Sequence, residues 1–159
     1  MSAYLLDTNA LIYYYCGDSL GRAIEPLLAS PSAHFYVTNL AVVEIRSALA
    51  SMVRREELKM GGYRLVMKRF SYDISSLGRF RVQPIRHSFV DPCIRMIEEY
   101  ALRQGLALST LDCLHLLAAR DLQQREPDLQ LVTADRAFAN IADLAGVPPI
   151  LLEAPEQPQ

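Results

Sequence analysis

The sequence is short of several residues on which common chemistries depend. Three cysteines in 159 residues form no CxxC pair and cannot all pair within one chain. That excludes a disulfide-built scaffold and implies reduced thiols in a cytoplasm. His34, His87 and His115 stand at no ligand spacing, so zinc is not the expected metal and each histidine reads as structural or surface. Only two lysines occur, Lys59 and Lys68, neither at a strand end. This weighs against a phosphatase that supports an aspartyl-phosphate with a pocket lysine. No nucleophilic Ser or Cys triad is visible either. No apolar run approaches the roughly 18 residues that span a bilayer, and Asp7 interrupts the N-terminal apolar segment with no basic stretch before it. Neither a membrane span nor an export signal is expected.

What remains is 51% apolar, enough for one well-filled core, and no Pro/Gly-rich stretch divides the chain. One domain over residues 1–152 is expected, with 153–159 a disordered tail. Residues 3–7 read as a strand, broken at Thr8 and Asn9 before a helix through Ile12 and Tyr15, whose tyrosines Tyr13, Tyr14 and Tyr15 read as packing residues. A helix over 20–28, a strand His34–Thr38 and a helix capped by Asn39 and running from Leu40 past Leu49 follow. Residues 54–76 read as helix interrupted at Gly61 and Gly62, and 79–85 as a half-exposed strand with Phe80 and Val82 inward. Asp91 and Pro92 suit a helix start, Asp as cap and Pro at the first position, with the helix running to Arg103. Ser109 and Thr110 open the next helix, to Gln123. A strand Leu129–Thr133, a helix Arg136–Leu144 and a strand over 149–152 complete the chain. Strands separated by helices pair in parallel through right-handed crossovers, which gives an α/β fold, a three-layer α/β/α sandwich around a mainly parallel sheet.

The net charge of −2 conceals a division. Residues 1–53 hold two basic and four acidic side chains, 54–86 nine and three, and 87–159 five and eleven. The basic middle block, with Arg54, Arg55, Arg64 and Arg69, is a candidate footprint for a phosphate backbone, against the plainer reading of a solvated helix face.

Against this background four acids stand out: Asp7 in YLLDTN, Glu44 in LAVVEIRSAL, Asp112 in STLDCLHLL and Asp135 in LVTADRAF. Asp7 and Asp135 end apolar strand candidates, and in open parallel sheets ligands gather at the carboxyl ends of strands. Glu44 lies roughly 40° from both Leu40 and Ala48 on the helical wheel, within an apolar stripe and with no Lys or Arg at i±3 or i±4. Ser109 and Asp112 have the spacing of a capping box, and Asp135 could cap Arg136–Leu144, so both retain a purely structural alternative. Ionised carboxylates withdrawn from water need a counter-charge. With no paired cations at hand, a hard divalent ion, Mg²⁺ or Mn²⁺, is the natural one.

The segments LLDTNALI, TNLAVVEIRSAL, STLDCLHLLAAR and LVTADRAF, in that order, resemble the PIN-domain nucleases, and among them the VapC-type toxins of bacterial toxin–antitoxin pairs. The resemblance covers residues 3–151. It implies that Asp7, Glu44, Asp112 and Asp135 bind metal, with Asn9 and Thr133 as polar support. It further implies Mg²⁺- or Mn²⁺-dependent endoribonuclease action on RNA, inhibition by a cognate antitoxin protein, and a homodimer. The alternatives are a non-catalytic RNA- or protein-binding module of the same shape and a Mg²⁺-dependent phosphatase.

Overall fold

A computed structural model describes residues 2–17 and 19–153. The anticipated tail lies, apart from Glu153, outside the described residues. The elements in chain order are β1 (Ala3–Leu6), α1 (Thr8–Cys16), α2 (Ser19–Leu28), β2 (His34–Thr38), α3 (Asn39–Arg54), α4 (Met60–Asp73) and β3 (Phe80–Gln83). A 3-10 turn (His87–Phe89), α5 (Val90–Met96) and a π-helical segment (Ile97–Arg103) come next. Then follow α6 (Thr110–Gln123), β4 (Leu129–Thr133), α7 (Arg136–Leu144) and β5 (Pro149–Leu151).

All five strands run parallel in the order β3-β2-β1-β4-β5. Period-two alternation sorts the strand side chains between two cores. Ala3, Leu5, Tyr36, Leu129 and Leu131 face α5, α6 and α7. Leu6, Phe35, Val37, Phe80 and Val132 face α1, α3 and α4. The three layers anticipated from the β–α alternation are therefore present. Leu5, Leu6, Leu129 and Leu131 are at most 1% exposed, and burying each stabilises the fold by about 1.5–3 kcal/mol relative to solvent. The strand order turns back between β1 and β4, so the crevice at their carboxyl ends is the place where such a sheet receives a ligand. Among the described residues no helix is long and apolar enough to cross a membrane.

Four local expectations are corrected. The cap of α3 is Thr38, whose hydroxyl accepts the Ala41 amide at 2.9 Å; Asn39 instead accepts the Ile85 amide at 2.8 Å. The interruption after α3 falls before the glycine pair, where Glu56 takes a left-handed φ of 61° and Glu57 and Leu58 both donate back to the Met52 carbonyl. Gly61 and Gly62 lie in the first turn of α4; a Cβ on Gly62 would meet Leu58 Cδ1 at 2.8 Å, whereas one on Gly61 would meet nothing within 4 Å. In β3 the buried pair is Phe80 and Gln83, while Val82 is 42% exposed. β3 is an edge strand, and Gln83 is drawn inward by hydrogen bonds to Asp121 and Arg125. Finally, helical structure begins at His87 rather than at Asp91, which sits in the first turn of α5 without a capping bond. Tyr15 is buried, as expected of a packing residue.

Candidate active site

β1 ends at Leu6, and the next residue both leaves the sheet and starts a helix. Asp7, in extended conformation, caps α1 by accepting the Thr8 amide on Oδ1 at 2.7 Å. Its other oxygen, Oδ2, accepts the Thr133 hydroxyl at 2.9 Å from the end of the adjacent β4. The side chain is thus pinned across the point where the strand order turns back, in a residue only 5% exposed. Both of these donors are neutral. Burial pushes the Asp7 carboxyl above its ordinary range, and the charge of Asp112 adds to this. The positive charge available at His115 and the two hydrogen bonds oppose it without cancelling it. The sequence places a carboxylate here, and among the described residues no Lys or Arg pairs with it.

Glu44 meets the same pocket from the second turn of α3. Its Oε2 accepts the Thr8 hydroxyl at 2.7 Å and lies 2.6 Å from His115 Nε2 on α6. The ring's Nδ1 lies 3.0 Å from the Thr38 hydroxyl. An ionised carboxylate only accepts, so the ring proton belongs on Nε2, facing Glu44, and in the neutral ring Nδ1 then accepts from the Thr38 hydroxyl, whose oxygen also accepts the Ala41 amide. Burial alone would raise Glu44. The hydrogen bond from His115, the charge that ring carries when protonated and the Thr8 hydroxyl outweigh it and hold the carboxyl below its ordinary range. His115, 2% exposed, is the partner that a search within four residues of Glu44 on its own helix could not reveal. Its one sequence signal is a titratable residue amid the apolar positions Leu114, Leu116 and Leu117.

Asp112 and Asp135 are placed differently. Asp112 completes a capping box with Ser109: the Ser109 hydroxyl donates to Oδ2 at 2.6 Å, the Ser109 amide reaches the same oxygen at 3.2 Å, and Ser109 Oγ accepts the Asp112 amide at 3.1 Å. Asp135 is exposed and caps α7 by accepting the Phe138 amide at 3.0 Å. A single threonine ties it to Asp7, since Thr133 Oγ1 accepts the Asp135 amide at 3.1 Å while donating to Asp7. Asn9 is exposed on the first turn of α1; the polar side chain that reaches Glu44 from that turn is Thr8. Thus Asp7, Thr8, Thr133, Glu44 and His115 form one bonded network. Asp112 touches it through its charge on Asp7, and Asp135 through its backbone. Among the described residues no three His, Cys, Asp or Glu side chains converge closely enough to hold an ion as they stand.

The basic block is also resolved into unlike parts. Arg55 forms a two-pronged pair with Glu57 at 2.8 and 2.9 Å. Arg54 reaches Ser51, and Arg69 lies over the Tyr15 ring at 5.8 Å. Arg64 is exposed on α4. None of the four bonds to the acid network.

No curated protein matches the chain, but solved structures share its fold. VapBC2 from Rickettsia felis, bound to a DNA fragment from its promoter, aligns with a TM-score of 0.63 and 16% identity over 95% of this chain and 99% of that one. FitAcB from Neisseria gonorrhoeae aligns with a TM-score of 0.61 and 20% identity over 92% and 95%. PAE2754 from Pyrobaculum aerophilum aligns with 0.59 and 18% over 93% and 83%. At such identities the likeness is one of fold. The sequence itself carries the assignment further, for the family model of the PIN domain matches residues 4–144. That span runs from β1 to the end of α7 and takes in all four acids, and the chain belongs to the PIN domain family.

Proposed function

We propose that this chain is a metal-dependent endoribonuclease that hydrolyses RNA phosphodiesters and acts as the toxin of a toxin–antitoxin pair. The observation that carries the reading is Asp7: a buried carboxylate at the point where the strand order turns back, held by neutral donors, raised in pKa and without a Lys or Arg partner. An oxygen-only donor set of this kind suits Mg²⁺ or Mn²⁺. Asp7 and Asp112 would hold the ion, with Glu44 and Asp135 on its waters or on a second ion, and Asn9 and Thr133 in support. Such an ion, when bound, polarises the phosphate and lowers the pKa of the attacking water.

The chain's own part is orientation. Thr133 fixes one oxygen of Asp7, and Thr8 and His115 together fix Oε2 of Glu44. Oε1 of Glu44 accepts no hydrogen bond among the described residues. His115 is a positioning residue that donates to a carboxylate and is itself oriented by Thr38, the arrangement that sharpens ligand geometry around metals. Asp112 acts on Asp7 through its charge, and Asp135 is joined to it through Thr133, so these two would complete the donor set once released from their helix-start bonds.

An antitoxin protein and a second copy of the chain are the expected partners, in keeping with the resemblance to VapC-type toxins and the fold shared with VapBC2 and FitAcB. The capping roles of Asp112 and Asp135 favour one competing reading, a non-catalytic module in which these acids only start helices. The test is incubation of the purified chain with labelled RNA, labelled DNA and a phosphomonoester, with Mg²⁺ or Mn²⁺ and again with chelator. Chelator-sensitive cleavage of RNA is expected. Cleavage of none of the three supports the module, and release of phosphate from the monoester alone supports a phosphatase.

A further inference from the structure

A cleft of about 640 Å³ lies between the α5–π-helical arm and the C-terminal half of α6, apart from the acid network. Its floor is apolar: Phe89, Met96 and Leu117 are each at most 8% exposed. Two arginines, Arg95 and Arg120, stand on its rim. The two carboxylates of the cleft are already engaged elsewhere. Asp121 accepts from Gln83 at 2.7 Å and Arg86 at 3.2 Å, and Glu99 accepts from Arg103 at 3.1 Å and Gln104 at 3.0 Å. Among the described residues Arg95 and Arg120 have no hydrogen bond or ion pair. The cleft therefore presents two uncompensated guanidinium groups above an apolar floor, with the partly buried Tyr100 ring in one wall. That wall belongs to the helix that turns π-helical at Ile97, a rare geometry enriched at functional sites.

We infer that this cleft is a second binding site for single-stranded RNA, in which Arg95 and Arg120 grip phosphates and the apolar floor and Tyr100 receive a base. The chemistry is matched on both sides. Guanidinium forks bind phosphate in two-pronged fashion, and a basic groove with an aromatic wall suits a strand whose bases are unpaired. The volume falls within the range of small-ligand sites, large enough for a nucleotide. Arg120 lies eight residues beyond Asp112 on α6, roughly 12 Å along the helix axis. The cleft and Asp112 thus border the two ends of one helix, a separation of the order of one helix length that a short single strand can bridge. The inference rests on the proposed nuclease activity for the identity of its ligand.

Two measurements test it, neither requiring cleavage. In chelator, a labelled single-stranded oligoribonucleotide is titrated into the wild-type chain, R95Q/R120Q and, for comparison with the basic middle block, R54Q/R64Q. R95Q/R120Q should bind about tenfold or more weakly, with a salt slope lower by about 1.4, two phosphates at 0.7 each. A nucleoside 5′-monophosphate should perturb the Tyr100 and Arg120 NMR signals at lower concentration than inorganic phosphate does, because only the former offers a base. Unchanged affinity and slope in R95Q/R120Q, or loss confined to R54Q/R64Q, would overturn the site even if the chain cuts RNA. So would a change in oligomeric mass on R95Q/R120Q substitution with RNA binding intact, which would make the cleft a face between copies. If instead the chain cuts no nucleic acid yet R95Q/R120Q loses oligonucleotide binding, the nuclease proposal fails and the site stands.

Discussion

The inner and outer halves of the acid pocket are built on opposite plans. Asp7 and Glu44 are tied into the interior by Thr8, Thr133 and His115, and their geometry is fixed by the fold before any ligand arrives. Asp112 and Asp135 sit at the rim as helix caps, where their present bonds are local and replaceable. Even within the inner half the two acids diverge. Burial raises Asp7, whereas Glu44, also opposed by burial, is brought down by its partners. The inner acids are held from three separate elements, by Thr8 of α1, Thr133 of β4 and His115 of α6, whereas each outer acid is held by the start of a single helix. One acid is left short of charge compensation.

The largest effect separates the halves at Asp7. Asp7→Asn should reduce cleavage about a thousandfold or more, equivalent to roughly 4 kcal/mol. Its metal-free melting temperature should equal or exceed that of wild type. The sign follows from linkage. An acid whose folded pKa is raised costs stability above that pKa, and the penalty disappears as pH falls through it toward the ordinary 3.8. Melting curves at several pH values should therefore show the Asp7→Asn advantage above that pKa and its loss below.

His115→Leu is next, and here stability should move as well as activity. The substitution removes one hydrogen-bond partner each from buried Thr38, which keeps the Ala41 amide, and half-buried Glu44, which keeps the Thr8 hydroxyl, and should cost about 1–3 kcal/mol in denaturant unfolding. His115→Gln, which retains a donor, should recover part of it. Glu44 has the opposite linkage to Asp7. Its depressed pKa contributes stability above the ordinary 4.5 that is lost as pH falls through the folded value, and His115→Leu should abolish that acid-side loss.

At the rim the pattern reverses, with little effect on stability and a large one on activity. Asn caps helices about as well as Asp, so Asp135→Asn should shift stability by no more than about 0.5 kcal/mol. Asp112 is the third-position partner of the Ser109 cap, where Asn keeps an acceptor and the shift should be of similar size, whereas Ser109→Ala should cost about 1 kcal/mol. Both Asp→Asn variants should lose cleavage; if either retains it in full, that residue is a cap only. The smallest effect is expected in the basic block. Arg55→Gln should leave the salt dependence of RNA binding unchanged because Glu57 already engages that guanidinium, while Arg64→Gln should lower the slope by about 0.7.

These two halves were not equally legible in the sequence. The outer acids could be read as caps from local spacing alone, and Ser109 with Asp112 forms the box that the spacing specifies. The strands and the layer arrangement were also legible, because β–α alternation constrains topology strongly. Long-range partners were not. Nothing adjacent to Glu44 indicates His115, and nothing in LVTADRAF indicates that Thr133 donates to a residue 126 positions away. The edge strand misled for a similar reason: alternation puts Val82 inward, but Gln83 is the buried residue because Asp121 and Arg125 arrive from α6 and the turn after it. The break lies at Glu56, ahead of Gly61 and Gly62, because a left-handed residue with two amides returning to the Met52 carbonyl ends α3, and the glycines fall in the first turn of the next helix.

The central claim is that Asp7 is a buried carboxyl group that a divalent cation would compensate, and its most direct test needs no substrate. Melting temperature is followed as Mg²⁺ or Mn²⁺ is titrated into the wild-type chain and Asp7→Asn at neutral pH. Binding to the folded state alone should raise the wild-type value continuously with ion concentration, by mass action, and leave Asp7→Asn nearly flat. A full shift in Asp7→Asn, or none in wild type at millimolar ion, would contradict the account.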